Sequence, residues 1–268
     1  MQKINTEQLL CTASRGRTLF LLLDINQYSE PLKWFKQLEG LEVRHLFVDT
    51  VFRQLIMQSP KLVQLNRNCA DLINDVFRRH TGCIVASNLS IDELNHALGK
   101  MLIAEHETQG KVYFRFFSPA VARAIVGLEE GGHCWSHCSH LYLPGYRTEQ
   151  WSEFELNENV EDKTFFVSQQ SELEIKAEHF TYHLAKMESW LDKPIETVQQ
   201  AMNSLARLCL LDALTSRELI QWSELIANRP ELLNHKSWSS LIRQPIPKQD
   251  KLNAAVALNN TERELTHV

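Results

Sequence analysis

The sequence has few glycines and lacks the glycine-rich loops that bind phosphate groups. Nine of its 268 residues are glycine, and neither a GxxxxGKS/T nor a GxGxxG motif occurs. The GxSxG motif of serine hydrolases and the HExxH motif of zinc peptidases are also absent. These absences argue against a P-loop nucleotidase, a dinucleotide-dependent enzyme and two large classes of hydrolase.

The sequence also lacks a net positive charge and long apolar runs. The formal net charge is −5 and the pI is about 6.1, so the chain lacks the basic footprint of a nucleic-acid binder. The apolar run Leu19–Leu23 ends at Asp24 and is too short for a signal-peptide core. No stretch approaches the roughly 20 apolar residues of a membrane span. We therefore expect a cytoplasmic protein that binds neither nucleic acid nor membrane.

The cysteines do not suggest a disulfide framework. Six cysteines in a non-secreted chain of this length are expected to be free thiols. A chain of this size buries roughly three quarters of its unfolded surface on folding, so it needs no disulfide or metal for stability. Because no cofactor motif is present either, we expect no cofactor.

The first half of the chain alternates predicted strands with predicted helices. Thr18–Leu23 is almost wholly apolar, which fits a strand buried on both faces, although so short a run is also compatible with a helix. Residues 83–86 predict another buried strand, and Ser90 begins a capping box that starts a helix. Lys111–Phe117 has the aromatic and β-branched residues of a strand. The pattern predicts an α/β N-terminal lobe, a mixed sheet with helices, over residues 1–145.

The second half of the chain differs from the first in composition and in the spacing of its apolar residues. Residues 146–167 are acidic with weak periodicity and are interpreted as a connector. Residues 168–242 carry apolar residues at helical intervals and a second capping box at Thr215, which predicts a mostly α-helical C-terminal lobe. Residues 243–268 are polar, contain two prolines and are predicted to form a flexible tail.

One short cluster could carry metal or thiol chemistry. His133, Cys134, His137 and Cys138 lie within GHCWSHCSH, with the two histidines and the two cysteines each four residues apart. Sulfur and imidazole ligands at such spacings could hold Zn²⁺, but the CxxC knuckle typical of structural zinc sites is missing. The alternative is an ordinary helix with one cysteine in the core. A small zinc- or thiol-dependent enzyme centred on residues 133–140 therefore stays open as a second hypothesis.

The segment YFRFFSP places a guanidinium inside a strongly apolar strand. Strand alternation puts Tyr113, Arg115 and Phe117 on one face and the other two phenylalanines on the opposite face. Burying Arg115 is costly unless it is paired. It is therefore either a solvated side chain lying on aromatic rings at a sheet edge or an ion-pair anchor at a binding face. Tyr113, Arg115, Phe117 and Pro119 are the candidate partner-binding residues.

The order of several short motifs resembles a known family. TLFLLLD (Thr18–Asp24), HLF (His45–Phe47), SPKLVQL (Ser59–Leu65) and RFFSP (Arg115–Pro119) follow one another as in the adaptor, or effector-chaperone, family of bacterial type VI secretion systems. The family's run of arginine, two aromatics, an acid and proline is kept except at Ser118, which can still cap the following helix. The resemblance covers about residues 18–143. Residues 205–226 are similar to the family's helical ending.

The resemblance implies a protein that is not an enzyme. Members of this family hold a toxic effector in the cytoplasm and help to load it onto the spike-tip protein of the secretion machine. The resemblance also implies an α/β N-lobe and a helical C-lobe, with a secreted effector protein and the spike-tip protein as partners. A third hypothesis, nucleic-acid binding by the C-terminal helices, is disfavoured because the chain is acidic and lacks a basic recognition helix.

Overall fold

The computed structural model describes residues 2–12, 17–27, 31–128, 133–147, 150–157 and 164–258. The chain divides into two compact units, Met1–Ser171 and Glu172–Val268. Strands and helices make up the first unit, and the described part of the second is mostly helical. The predicted fold class, an α/β lobe followed by a mostly α-helical lobe, is confirmed.

The apolar run Thr18–Leu23 is a central strand of a seven-stranded sheet. In spatial order the strands are β1 (Gln2–Ile4), β9 (Trp151–Glu155), β8 (His140–Pro144), β5 (Gly82–Ser87), β2 (Thr18–Leu23), β4 (Lys61–Gln64) and β3 (Val43–His45). Every neighbouring pair is antiparallel. The side chains of residues 19–23 are fully buried because β2 has a strand on each side and cover on both faces.

Mixed pairing occurs in a separate three-stranded sheet of the first unit. Its strands, in spatial order, are β10 (Phe166–Val167), β6 (Ile103–His106) and β7 (Gly110–Tyr113). β10 and β6 run parallel, whereas β6 and β7 run antiparallel. The predicted strand Lys111–Phe117 is therefore wrong at its end, because the strand stops at Tyr113.

Helices cover both faces of the seven-stranded sheet. α1 (Thr6–Thr12), α2 (Pro31–Leu38) and α3 (Ala70–Arg79) lie on the face to which Leu21 points. Phe20 and Leu22 point to the opposite face, where α4 (Ile91–Lys100) and α5 (Pro119–Val126) contact the strands. The capping box predicted at Ser90 begins α4, since its hydroxyl accepts from the backbone N–H of Glu93 at 3.3 Å.

The pairing of β5 with β2 requires glycine at position 82. A Cβ on Gly82 would lie 2.3 Å from the carbonyl oxygen of Leu22. No other residue type could keep this register, because such a contact is far inside van der Waals distance.

A buried arginine attaches α5 to the sheet. The guanidinium of Arg123 donates to the carbonyl oxygen of Pro144 at 3.0 Å and to the hydroxyl of Ser152 at 3.2 Å. It also lies over the rings of Tyr146 and Phe154, 4.7 and 5.5 Å from their centroids. These contacts satisfy a charge that would otherwise be costly to bury, and they fix α5 against β8 and β9.

Up to residue 258, the second unit contains most of α6, five further α-helices and the 3₁₀ helix Pro230–Asn234. The α-helices are α6 (Gln169–Leu184), which begins in the first unit, α7 (Glu188–Leu191), α8 (Ile195–Asp212), α9 (Ser216–Asn228), α10 (Trp238–Arg243) and α11 (Lys248–Ala257). The predicted capping box at Thr215 begins α9. None of the described helices combines the length and the hydropathy needed to span a membrane.

Buried tryptophans connect the helices of the second unit. The indole N–H of Trp190 donates to the Ser223 hydroxyl at 2.8 Å, and that of Trp238 donates to the Ser204 hydroxyl at 3.2 Å. The rings of Trp222 and Trp238 pack edge to face with centroids 5.9 Å apart. Apolar contact and a satisfied polar atom are thus combined in the same side chains.

Two segments differ from their sequence-based interpretation. Residues 151–155, assigned to an acidic connector, form strand β9, in which Trp151 is fully buried and Glu155 is exposed. Its acidic residues obscured a strand that is held by pairing on both sides. Within the predicted flexible tail, residues 248–257 form α11, and Lys251 is buried.

Lys251 links α11 to two other helices, and its loss should destabilise the second unit. Its ammonium lies 2.6 Å from Asp212 Oδ2 and donates to the carbonyl oxygen of Ile242 at 3.1 Å. We expect Lys251→Met to lower the free energy of unfolding by about 3 kcal/mol, because a largely buried carboxylate loses its cation. Urea unfolding followed by circular dichroism measures the change.

The matched control is Lys193→Met, which removes a surface partner of the exposed Asp192. We expect it to cost less than about 1 kcal/mol. Equal losses in the two variants would show that the buried contacts of Lys251 contribute nothing particular to stability.

Candidate functional site

Arg115 pairs with a carboxylate at the end of the central strand. Asp24 follows β2 directly and is 1% exposed, and the Arg115 guanidinium donates to its Oδ2. The other carboxylate oxygen of Asp24 accepts from the backbone N–H of Asn26 at 3.2 Å. The Arg115 side chain keeps 45% of its surface exposed and lies over the ring of Phe117, 6.0 Å from its centroid. Arg115 is therefore both an ion-pair anchor and part of the surface.

The structure separates the four predicted partner-binding residues into two groups. Tyr113 and Arg115 are accessible to a partner, whereas Phe117 and Pro119 are buried. The face assignment from strand alternation is wrong for Phe117, because the chain leaves the strand after Tyr113 and turns at residues 116–118. Ser118 precedes α5 as expected, but its side chain makes no capping hydrogen bond.

Tyr113 joins a group of exposed apolar side chains that the sequence did not reveal as a surface. Its ring packs edge to face against Phe52, with centroids 5.0 Å apart. Phe52 itself is half-buried, but the segment that contains it exposes Val51 by 78%, Leu55 by 48% and Met57 by 74%, and Tyr113 is 42% exposed. We call Val51, Phe52, Leu55, Met57 and Tyr113 the apolar surface cluster.

The local backbone explains why these apolar residues stay exposed. The apolar content of residues 51–57 favours a short helix before Ser59 and Pro60, but residues 51 and 52 form a turn and residues 53–58 form 3₁₀ turns with a kink at Leu55. A 3₁₀ segment does not gather its apolar residues on one broad buried face as an amphipathic α-helix does. The apolar content that favoured a helix therefore ends up at the surface.

Hydrogen bonds hold both ends of the segment that carries the cluster. The backbone N–H of Phe47 donates to the Ser59 hydroxyl at 3.0 Å. In the adjoining strands the Lys61 ammonium lies 2.7 Å from Nδ1 of His45, and that nitrogen is 3.2 Å from the carbonyl oxygen of Ile56. The segment is thus fixed at its base, so the cluster is presented by a supported loop.

Burial lowers the pKa values of the two side chains that lie beneath this loop. It lowers the pKa of Lys61 to about 8, because the ammonium is costly to desolvate. The pKa of His45 is also lowered, first by burial and second by the neighbouring Lys61 charge. Near neutral pH the pair therefore consists of a Lys61 ammonium, which is still mostly protonated, beside a neutral His45 imidazole.

A groove of about 430 Å³ lies beside the cluster, between residues 46–51 and α4. A Cβ at Gly99 would lie 3.4 Å from the Leu46 carbonyl oxygen and from the Thr50 methyl group, so α4 packs closely against residues 46–50 here. Asp49 and Lys100 both line the groove. Its charge is therefore mixed and does not select a particular ion.

The histidine–cysteine segment does not form a metal centre within the described residues, where no three His, Cys, Asp or Glu side chains are grouped to hold an ion. Residues 133–135 make a 3₁₀ turn instead of an α-helix, and β8 begins at residue 140. Cys134 and Cys138 are buried, while His133 and His137 are partly exposed. Burial raises the pKa of the Cys134 thiol, which disfavours the reactive thiolate.

Removing Arg115 should destabilise the first unit. We expect Arg115→Ala to lower the free energy of unfolding by about 2 kcal/mol, because the buried Asp24 carboxylate loses its guanidinium. Adding Asp24→Asn should recover part of the loss, since an amide carries no charge to be left unpaired. A double-mutant cycle in urea measures the coupling. A coupling near zero, with Arg115→Ala as stable as wild type, would make Arg115 a contact residue without a structural role.

The buried ammonium of Lys61 predicts a dependence of stability on pH. The folded chain releases this proton at about pH 8, whereas the unfolded chain keeps it up to about 10.5. Since the unfolded state binds more protons between these values, stability should rise with pH across that window. We expect wild type to gain about 2 kcal/mol relative to Lys61→Met between pH 7.5 and 10. Urea midpoints that change equally with pH in wild type and in Lys61→Met would contradict a lowered pKa for Lys61.

Comparison with known proteins yields one match. A family model described as a domain of unknown function (DUF4123) matches residues 19–130. This range includes all of β2 except Thr18, and it includes Asp24, the whole apolar surface cluster and Arg115. No curated protein and no solved structure matches the chain. Over less than half of its length, the chain is therefore similar to a domain whose description assigns no function.

Proposed function

We propose that this protein is a non-catalytic adaptor, or chaperone, of a bacterial type VI secretion system. It binds a secreted effector in the cytoplasm and promotes the loading of that effector onto the spike-tip protein. The order of TLFLLLD, HLF, SPKLVQL and RFFSP supports the proposal, because it resembles that of the adaptor family. All of these motifs except the first residue of TLFLLLD lie within the range of the domain match.

The observation that carries the proposal is the apolar surface cluster. Large exposed apolar patches on soluble proteins usually contact a partner, and the cluster exposes four large apolar side chains, three of them within residues 51–57. Aromatic residues and methionine are enriched at the centres of protein interfaces, and methionine adapts its shape to the surface that it meets. Phe52, Met57 and Tyr113 supply these residue types on a base that is held by hydrogen bonds.

The half-exposed Arg115 beside the cluster suits the same role. Arginine is over-represented at binding hot spots because its planar guanidinium can stack and donate several hydrogen bonds. Pairing with Asp24 fixes its position before a partner arrives, so less side-chain entropy is lost on binding. Arg115 thus contributes to binding by its fixed geometry, and its contact with a partner is secondary to its structural role.

The enzyme hypothesis has weaker support. A thiol nucleophile needs a lowered pKa and access to solvent, whereas Cys134 has a raised pKa and both cysteines of the segment are buried. Under the adaptor proposal, replacing Cys134 and Cys138 together by serine leaves effector binding unchanged in variants that fold. Under the enzyme hypothesis the same replacement abolishes an activity of the purified chain.

The first test is recovery of partners from cells with an active type VI secretion system. The affinity-tagged chain is expected to co-purify with an effector and with the C-terminal region of the spike-tip protein. Replacing Val51 and Met57 together by serine should reduce effector recovery by about tenfold, because hot-spot contacts of this kind are lost. Quantitative mass spectrometry of the eluates measures the change.

A matched control comes from the second unit. Leu211 is 56% exposed and lies outside the cluster, so Leu211→Ser should retain wild-type recovery. Both variants should keep the wild-type melting temperature, since the replaced side chains are already in water. Failure of the wild-type chain to recover an effector or a spike-tip protein would argue strongly against the adaptor proposal. Equal losses in the two variants would show that the cluster is not the docking surface.

A further inference from the structure

Strand β7 forms an open edge of the three-stranded sheet. It pairs with β6 on one side, with Tyr113 opposite Ile103 and Lys111 opposite Glu105. On its other side, no strand of the described residues pairs with it. Gly110, Lys111 and Tyr113 are exposed, so the edge is accessible to another molecule.

The hydrogen-bond pattern shows which backbone groups face outward. The Phe114 amide donates to the Leu102 carbonyl oxygen at 2.8 Å, which makes these two residues a hydrogen-bonded pair of the antiparallel ladder. Such pairs alternate with pairs whose backbone groups point away from each other. Lys111 and Tyr113 belong to the second kind, and their N–H and C=O groups therefore point away from β6.

The backbone hydrogen bonds on the other side of β6 agree with this alternation of inward and outward groups. Glu105 lies opposite Lys111, and its amide also points outward, where it donates to the Phe165 carbonyl oxygen at 3.0 Å. Across the described residues, the outward backbone groups of Lys111 and Tyr113 have no corresponding protein partner. The open edge thus offers two donors and two acceptors at strand spacing.

The side chains beside this edge define what can lie along it. Lys111 and Tyr113 are two residues apart, so they project from the same face of the strand. The Tyr113 ring packs against Phe52, and the edge is therefore continuous with the apolar surface cluster. A strand added to β7 would place one side chain next to the Lys111 ammonium and another next to the Tyr113 ring. An acidic and an apolar residue are the favourable cross-strand neighbours at these two positions.

We propose that the β7 edge binds an extended segment of the effector, which adds a strand to the three-stranded sheet. The segment carries an acidic residue next to Lys111 and an apolar residue next to Tyr113. Backbone hydrogen bonds supply much of the affinity, and the two side-chain positions supply specificity. This inference rests on the proposed adaptor function and specifies the form in which the effector is held.

The edge is poorly suited to a second copy of this chain. β7 has four residues, and one of them is an exposed lysine. Short edges that carry lysine resist pairing with themselves, because two copies bring like charges together. The same lysine attracts an acidic partner segment, so one feature both disfavours self-association and selects the occupant.

The test compares Tyr113→Pro with Tyr113→Thr in effector co-purification. Both variants lose the ring, but only proline removes the outward N–H. Proline leaves the ladder with β6 intact because that N–H takes no part in it, and Val112 before it lies in a strand, as proline prefers. Recovery of the effector should be about tenfold lower for Tyr113→Pro than for Tyr113→Thr. Lys111→Glu should likewise recover less effector than Lys111→Thr.

Equal recovery with proline and threonine would overturn the edge proposal while leaving the adaptor function in place. Sedimentation of the same variants tests whether a second copy of this chain occupies the edge instead. A wild-type dimer that Tyr113→Pro dissociates would mean that a second copy occupies the edge, which also overturns the proposal.

A second measurement tests the edge without any effector and without changing the chain. The probe is a capped eight-residue peptide that repeats Val-Thr-Glu-Thr, so that valine and glutamate alternate along one face. The control peptide has the same sequence and is N-methylated at every internal amide. We expect the parent peptide at millimolar concentration to slow hydrogen exchange at the amides of Lys111 and Tyr113, and the methylated peptide to have no effect. Equal effects of the two peptides, or protection at neither amide, would overturn the proposal even if effector recovery succeeds.

Discussion

The buried carboxylate of Asp24 is the constraint on which much of the first unit depends. It ends a strand that is apolar on both faces, so its charge must be compensated inside the fold. Arg115 supplies the guanidinium from 91 residues further along the chain. This contact fixes the turn that leads into α5 at Pro119, and α5 carries Arg123 to the carbonyl oxygen of Pro144. Two arginines thus connect the central strand, one helix and the last strands of the sheet.

The same constraint sets the position of the candidate binding surface. Because Arg115 is held at the end of β2, Tyr113 two residues earlier lies beside Phe52, where β7 ends. The motif RFFSP is therefore mainly structural. Its two phenylalanines and its proline are in the core, and its arginine is an anchor that stays half exposed. The candidate partner surface lies just outside the motif, in residues 51–57 and at the start of YFRFFSP.

Features determined by local sequence could be predicted, whereas features determined by distant contacts could not. The run Thr18–Leu23 and the capping boxes at Ser90 and Thr215 act through neighbouring residues, so their patterns identify them directly. The partner of Arg115 is remote in sequence, and β9 exists because β1 and β8 pair with it on its two sides. Exposure of the apolar surface cluster depends on the backbone that residues 51–58 adopt in the folded chain. Residues 51–57 have the composition of a buried helix, and nothing in their spacing indicates a surface.

The exposed apolar cluster also affects the solubility of this protein. Each apolar side chain that is left in water carries a free-energy cost of about 25 cal/mol per Å² of its surface, which covering by another molecule removes. If the cluster is the effector-docking surface, the uncomplexed chain is the less soluble species and the complex the more soluble one. Balanced synthesis of the two proteins would then protect both, since an excess of either would leave apolar surface uncovered. Under that condition, the ratio at which the two proteins are synthesised would decide how much apolar surface stays in contact with water.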